Sequence, residues 1–156
     1  MKIVKLPRMD NREIKETINS QKLCRIAFID DKYPYIAPFQ YVCINDELYF
    51  HFTNYGKKKK ILSKNTNVCV SIENFEPDLS RYYFISMQGN LEVVENIDLK
   101  AKVIYQMKNS AGSNYSENFL SVHGFDKKLG WEGFVTEDQL IYKFIQSKDT
   151  IGLKSI

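Results

Sequence analysis

Four consecutive lysines, Lys57 to Lys60, are the residues of this sequence whose type and spacing most clearly indicate chemistry. Before them, a run of strand-forming residues ends at Thr53 and the chain turns at Gly56, and apolar residues at helical spacing come after them. The pattern predicts a strand, a turn at Gly56 and a short helix that begins with the lysines. Lysines at the start of a helix oppose the helix dipole unless an anion is bound, and the free helical amides favour the same anion. The segment therefore predicts a phosphate-binding site, with a solvated basic patch as the alternative.

The predicted strand before the lysines, residues 47–53, adds a candidate proton donor. Side chains alternate between the two faces of a strand, so Leu48, Phe50 and Phe52 share one face. Tyr49, His51 and Thr53 share the other face. Because an imidazole titrates near neutral pH, His51 could donate a proton or a hydrogen bond to a ligand. The alternative is a histidine in the wall of a barrel, satisfied by a backbone carbonyl.

The elements that would position these residues are mainly short antiparallel strands. Strands are predicted at residues 22–30, 35–44, 47–53, 67–73, 81–95 and 139–147, with Gly89 marking a bulge or bend. Asp10 and Glu13 predict a capped helix that ends near Ser20, and a later helix at 98–109 leads into a flexible loop at 108–118. The absence of alternating strands and helices favours a mainly β fold, a closed or partly closed β-barrel with a few helices, in one domain spanning residues 1–156.

Composition excludes some classes of protein and leaves others open. The net charge of +3, from 22 Lys and Arg against 19 Asp and Glu, is too small to indicate a nucleic-acid-binding protein. Binding of single strands through the lysines and exposed aromatic residues remains a lower-ranked alternative. Three cysteines in apolar runs, without C-x-x-C spacing, predict neither a disulfide framework nor a metal site. No segment is apolar over the length of a membrane span, so we expect a cytoplasmic protein without membrane contact.

The segment around the lysines resembles the FMN-binding split barrels of the pyridoxamine 5'-phosphate oxidase-like family. Their element reads roughly F-x-T-N-x-x-S-R-K-x-x-x-L-x-x-N-P. The matching residues, with one loop residue fewer, are Phe52, Thr53, Asn54, Lys57, Lys58, Leu62 and Asn65. The pattern P-Y-x-x-P-x-x-Y from Pro34 to Tyr41 is similar to the nitroimidazole-reductase branch, as is L-Y-F-H at 48–51. W-x-G-F at 131–134 and IGLK at 151–154 resemble tail motifs of the family.

The resemblance implies an antiparallel split barrel that forms a homodimer with FMN at the subunit interface. The residues implied to bind FMN are Thr53, Asn54, Lys57 and Lys58 at the phosphate, backbone groups of Pro38, Phe39 and Gln40 along the isoalloxazine ring, and Trp131 beside it. His51 would lie near the flavin. Pro38 has no N–H for a strand ladder, which predicts an edge or a distortion where a planar ligand could approach.

Departures from the family pattern argue against a vitamin B6 oxidase. Ala37 and Val42 stand where pyridoxamine phosphate oxidases carry an arginine and a lysine, and their C-terminal R-L-H-D-R motif is absent. Lys57 replaces the phosphate-binding arginine and loses its bidentate fork. The resemblance therefore implies an FMN-dependent oxidoreductase acting on another small molecule. The alternatives are a non-catalytic flavin- or haem-binding module and a deazaflavin-dependent reductase on the same fold.

Overall fold

The computed structural model of the protein describes residues 5–114 and 139–155. Its strands are β1 (Leu23–Asp30), β2 (Tyr33–Ile44), β3 (Glu47–Phe52), β4 (Asn67–Phe75), β5 (Tyr82–Val93), β6 (Leu140–Gln146) and β7 (Ile151–Lys154). Its helices are α1 (Asn11–Ser20), α2 (Lys57–Leu62) and α3 (Ile97–Asn114). Within this part of the chain, no helix is long and apolar enough to cross a membrane.

Six of the strands close into an antiparallel barrel. Neighbouring strands pair in the order β1, β2, β3, β6, β5 and β4, and β4 pairs back to β1. β7, predicted only as a tail motif, pairs with β5 over Tyr83–Ser86 and extends the sheet beyond the barrel. The prediction of a mainly antiparallel barrel with a few helices is confirmed.

The two faces of β3 pack against different parts of the protein, as the alternation predicts. Leu48, Phe50 and Phe52 are buried in the barrel interior. Tyr49 faces outward and is buried beneath α3 with Val103 and other apolar residues. One layer therefore fills the barrel, and α3 covers part of its outer surface with a second layer.

Two short helices close parts of the barrel interior. The capping box of α1 forms as predicted, because the Glu13 amide donates to Asp10 Oδ1 at 2.8 Å and the Asp10 amide donates to Glu13 Oε2 at 2.9 Å. Ile14 and Ile18 on this helix pack against the barrel core. α2 contributes Ile61 and Leu62 to the same core, which fixes the lysines before them at the rim.

The structure differs from the predicted elements at the end of α3 and, for the bulge alone, at Gly89. α3 continues to Asn114, so part of the predicted loop at 108–118 is helical. β5 pairs with β4 in an unbroken register through Gly89, and its ladder with β6 begins at Gly89, so Gly89 does not form a bulge. A glycine is needed here because β5 and β6 approach closely: a Cβ atom at Gly89 would lie 2.0 Å from the Ile145 carbonyl oxygen.

Candidate functional site

The barrel is split along one edge of β2. β1 pairs with β2 from Tyr33 to Gln40, whereas β3 pairs with β2 only from Tyr41 to Ile44. No strand in the described ranges 5–114 and 139–155 pairs with the β3 side of residues 33–40. We call this open edge, together with the end of β3 and the turn after it, the split.

Backbone direction at the split follows from one hydrogen bond. The Tyr41 N–H points toward β1, where it donates to the Lys22 carbonyl oxygen at 3.1 Å. Successive residues of a strand point their backbone groups to opposite edges. The backbone groups of Gln40 and Pro38 therefore face the split. Pro38 is exposed, and its missing N–H lies on the unpaired side, so the predicted edge position is confirmed.

The predicted strand, turn and helix around the lysines are also present. Gly56 caps α2 with φ +89°, a conformation that side-chain-bearing residues rarely adopt, and no side chain bonds to the first amides of the helix. Since the helix contains the run Lys57 to Lys60 and no acidic residue in its first turn, positive charge collects at this rim.

Two of the lysines reach residues of β1 and β2 beside the split. Lys57 Nζ lies 2.8 Å from Asp30 Oδ2 and 4.7 Å from the centroid of the Tyr35 ring. Lys58 Nζ lies 5.1 Å from the centroid of the Phe39 ring. Phe39 is buried between the two residues whose backbone faces the split. The structure thus brings Lys57 and Lys58 to the segment predicted to line a ring.

Thr53 and Asn54 form the turn between β3 and α2, and both are exposed. Thr53 Oγ1 donates to the Tyr55 carbonyl oxygen at 3.1 Å, so its one hydroxyl proton is used within the turn. Asn54 Oδ1 accepts a hydrogen bond from Lys59 Nζ. Both residues lie next to the lysines, although their hydrogen bonds in this structure are made within the turn.

His51 is half-buried on the outward face of β3, one residue before the strand ends. Its Nε2 lies 2.7 Å from Gln139 Oε1, at the start of β6. Because an amide oxygen only accepts, this pairing makes Nε2 the donor and leaves Nδ1 as the acceptor. Gln139 was not among the predicted site residues. It lies 88 residues from His51 in sequence, and no local pattern links the two.

Gln40 carries a buried polar atom that the described residues leave unsatisfied. Its Nε2 is buried and has no hydrogen-bond partner there. Continuing the β2–β3 register by one pair from Tyr41 and Phe50 places Gln40 opposite His51. A buried amide donor beside an open strand edge fits a ligand that supplies an acceptor at this point.

A cleft of about 430 Å³ lies further along β2, between α1 and α3. Its lining residues are Ile18, Asn19, Gln21, Lys22, Tyr41, Val42, Cys43, Gln106, Asn109 and Ser110. They include one cation and no carboxylate. The Tyr41 hydroxyl donates to the Ile18 carbonyl oxygen at 2.7 Å, and burial raises the pKa of Tyr41, so this hydroxyl stays protonated. The cleft is large enough for a small molecule.

The family of the chain follows from a comparison of sequences. The sequence profile of the pyridoxamine 5'-phosphate oxidase family matches residues 10–122, well over half of the chain. The chain belongs to the pyridoxamine 5'-phosphate oxidase family. A search of curated protein sequences gives no significant match.

Solved structures share the fold of this family member at low sequence identity. An FAD-binding protein from Mesorhizobium loti has a TM-score of 0.66 at 18% identity, covering 98% of this chain and 100% of that protein. A candidate 5-nitroimidazole antibiotic resistance protein from Bacteroides thetaiotaomicron has a TM-score of 0.65 at 18% identity, and the match covers 96% of this chain and 90% of that protein. The haem storage protein HutZ from Vibrio cholerae has a TM-score of 0.64 at 17% identity, and the match covers 92% of this chain and 94% of that protein.

The two positions where pyridoxamine phosphate oxidases carry an arginine and a lysine are buried in this structure. Ala37 is buried in the barrel interior and Val42 is buried beneath α3, so neither position offers a charge to a ligand. The family member therefore lacks, at these two positions, the cations implied for vitamin B6 oxidases. Trp131 lies outside the described residues, and its predicted place beside the ring stays a prediction.

Proposed function

We propose that this protein binds FMN in the split and acts as an FMN-dependent oxidoreductase on a small molecule. The observation that carries the proposal is that Lys57 and Lys58 lie over the rings of Tyr35 and Phe39, two residues of the segment of β2 that β3 leaves unpaired. A flavin phosphate needs cations, and a flavin ring needs an open backbone edge with donors and acceptors. Both features occur together here.

Lys57, Lys58 and Thr53 would hold the phosphate, with Asn54 in the same turn. An ammonium has three donors, so Lys57 can keep its Asp30 contact and still donate to a phosphate oxygen. Charge-assisted hydrogen bonds of this kind are the strong ones in proteins. To donate to the phosphate, the Thr53 hydroxyl would turn away from the Tyr55 carbonyl oxygen, because it has only one proton. Asn54 can donate through its amide nitrogen while its Oδ1 keeps the bond to Lys59.

The ring would lie along the open edge at Pro38, Phe39 and Gln40. Bound FMN supplies hydride and electron transfer, while the protein orients it and excludes water. The cleft beside β2 offers space for a substrate, and the structural likeness to flavin-binding proteins supports the assignment through the fold alone. FMN is favoured over FAD by the resemblance of the lysine segment to an FMN-binding motif.

His51, held by Gln139 through Nε2, would accept a hydrogen bond from the cofactor at Nδ1, or donate a proton from Nδ1 when both ring nitrogens carry one. The chain contains two histidines, which allows a direct test by NMR. We expect addition of FMN to shift the imidazole resonances of His51, identified by their loss in the His51→Asn variant. Imidazole resonances of His51 that stay unchanged at saturating FMN would contradict this placement.

A second copy of the chain is the proposed partner. β1 and β2 present a largely apolar outer face that we call the β1–β2 face, formed by Leu23, Ala27, Ile29, Pro34, Ile36 and Pro38. Arg25 lies on the same face opposite Pro38, and its guanidinium pairs with Glu73 on the neighbouring strand β4. Leu23, Ile29 and Ile36 are 56%, 51% and 59% exposed. Contiguous apolar surface on a soluble protein usually marks an interface. Because the face adjoins the split, its burial by a second subunit would bring that subunit next to the flavin.

The proposal is tested by a visible spectrum of the purified protein, followed by mass spectrometry of any compound released on denaturation. We expect flavin absorbance, release of FMN, and bleaching when NADH or NADPH is added under nitrogen. A colourless protein that does not bind added FMN would refute the proposal.

The same measurement separates the other candidates. The fold is shared with a haem storage protein, which favours a non-catalytic haem- or flavin-binding module as the second candidate. Release of haem, or of a flavin that neither nicotinamide reduces, would support that module. Release of a deazaflavin would indicate a deazaflavin-dependent reductase on the same fold.

A further inference from the structure

The Gln40 side chain is the feature of the split that the proposed function does not yet use. Among the residues that the structure describes, Gln40 Nε2 is the buried side-chain polar atom found without a hydrogen-bond partner. Leaving a buried amide donor unsatisfied is destabilising, so such groups are rare in folded proteins. The position therefore requires an explanation other than folding.

The surroundings of Gln40 define the kind of acceptor that it suits. Phe39 and Tyr41 point into the barrel core, so Gln40 between them points outward. It follows Pro38 on that face and is the last residue of the open edge before β3 pairing begins. Its partner on β1 is the apolar Leu23. On the other side, the β2–β3 register places Gln40 beside His51, which is half-buried. A neutral amide donor suits an uncharged acceptor, such as a carbonyl oxygen or a ring nitrogen, better than a phosphate.

We infer that the Gln40 amide donates a hydrogen bond to a carbonyl oxygen or ring nitrogen of the flavin and thereby determines how tightly the ring is held. This inference rests on the proposed function, since it requires FMN in the split. The lysines would then bind the charged end of the cofactor, and Gln40 would select its uncharged heterocyclic end. A donor that lacks a partner in the free protein gains one on binding, which makes Gln40 a specificity-determining residue rather than a structural one.

The test is the Gln40→Met variant, which keeps the length of the side chain and removes the donor. We expect FMN to bind about ten-fold more weakly, as for the loss of one hydrogen bond, measured by titration of flavin fluorescence. We also expect the FMN-free variant to melt at the same temperature as the wild type or higher, because the unsatisfied donor has gone. The bound flavin should become harder to reduce, since a donor favours the more negative reduced ring.

The outcomes separate the inference from the proposed function. Gln88→Met is the matched control, because Gln88 is exposed on β5 and the same change there should alter neither affinity nor stability. Unchanged FMN affinity of Gln40→Met, with a wild type that binds FMN, overturns the inference alone. Loss of both stability and affinity indicates a folding role and also overturns it. A wild type that fails to bind FMN removes both proposals.

Discussion

Replacing both Lys57 and Lys58 by alanine is expected to weaken FMN binding by a factor on the order of 10² to 10⁴. Each charge-assisted hydrogen bond to a phosphate contributes about 1.5–3 kcal/mol, which corresponds to roughly 10- to 150-fold in affinity. The fold should survive, because Ile61 and Leu62 anchor α2 and neither lysine is buried. The measurement is the dissociation constant of FMN at fixed ionic strength, with circular dichroism to confirm folding.

The single variants sharpen this prediction. Lys57→Ala should cost more affinity than Lys58→Ala, because it also leaves the Asp30 carboxylate unpaired near the phosphate. Lys64→Ala is the control, since Lys64 is an exposed lysine beyond the end of α2. Affinity that is unchanged in the folded double variant, or reduced equally by Lys64→Ala, would remove the role of the lysines in gripping the phosphate.

Ile36→Glu is expected to convert the proposed dimer into a monomer. Ile36 lies opposite Ala27 near the middle of the β1–β2 face, and burying a carboxylate there without a partner would cost several kcal/mol. Because Ile36 is exposed in the single chain, the subunit itself should remain folded. Analytical ultracentrifugation over a range of concentrations gives the mass of the wild type and of the variant.

Ile97→Glu provides the matched control for this experiment. Ile97 begins α3 and lies outside the β1–β2 face. Its exposed fraction, 57%, is close to the 59% of Ile36. We expect this control to remain a dimer. A wild type that is monomeric at all concentrations, or an Ile36→Glu variant that stays dimeric, would show that this face is not the interface.

Local patterns were sufficient to predict much of the fold and the phosphate end of the site. Alternation along β3 placed Phe50 and Tyr49 on opposite faces, as the structure does, and a capping box located the start of α1. The four lysines after Gly56 indicated where an anion could bind at the rim of the barrel. These features depend on residues that are neighbours in sequence, so local patterns are enough to predict them.

Contacts between distant segments could not be predicted in this way. The pairing of His51 with Gln139 and that of Lys57 with Asp30 depend on how the barrel closes. Gly89 was recognised as special, yet only the approach of the Ile145 carbonyl oxygen shows why a glycine is needed. The composition near the end of α3 suggested a loop from residue 108, and the helix continues through it.

The open edge of β2 has a consequence for solubility. An unpaired strand edge can recruit a strand from another molecule and begin aggregation. Pro34 and Pro38 both stand at positions whose backbone nitrogen faces that edge, so two of the donors that a foreign strand would need are missing. The prolines thus leave room for a flat ligand along the split while discouraging another polypeptide from adding to the sheet there.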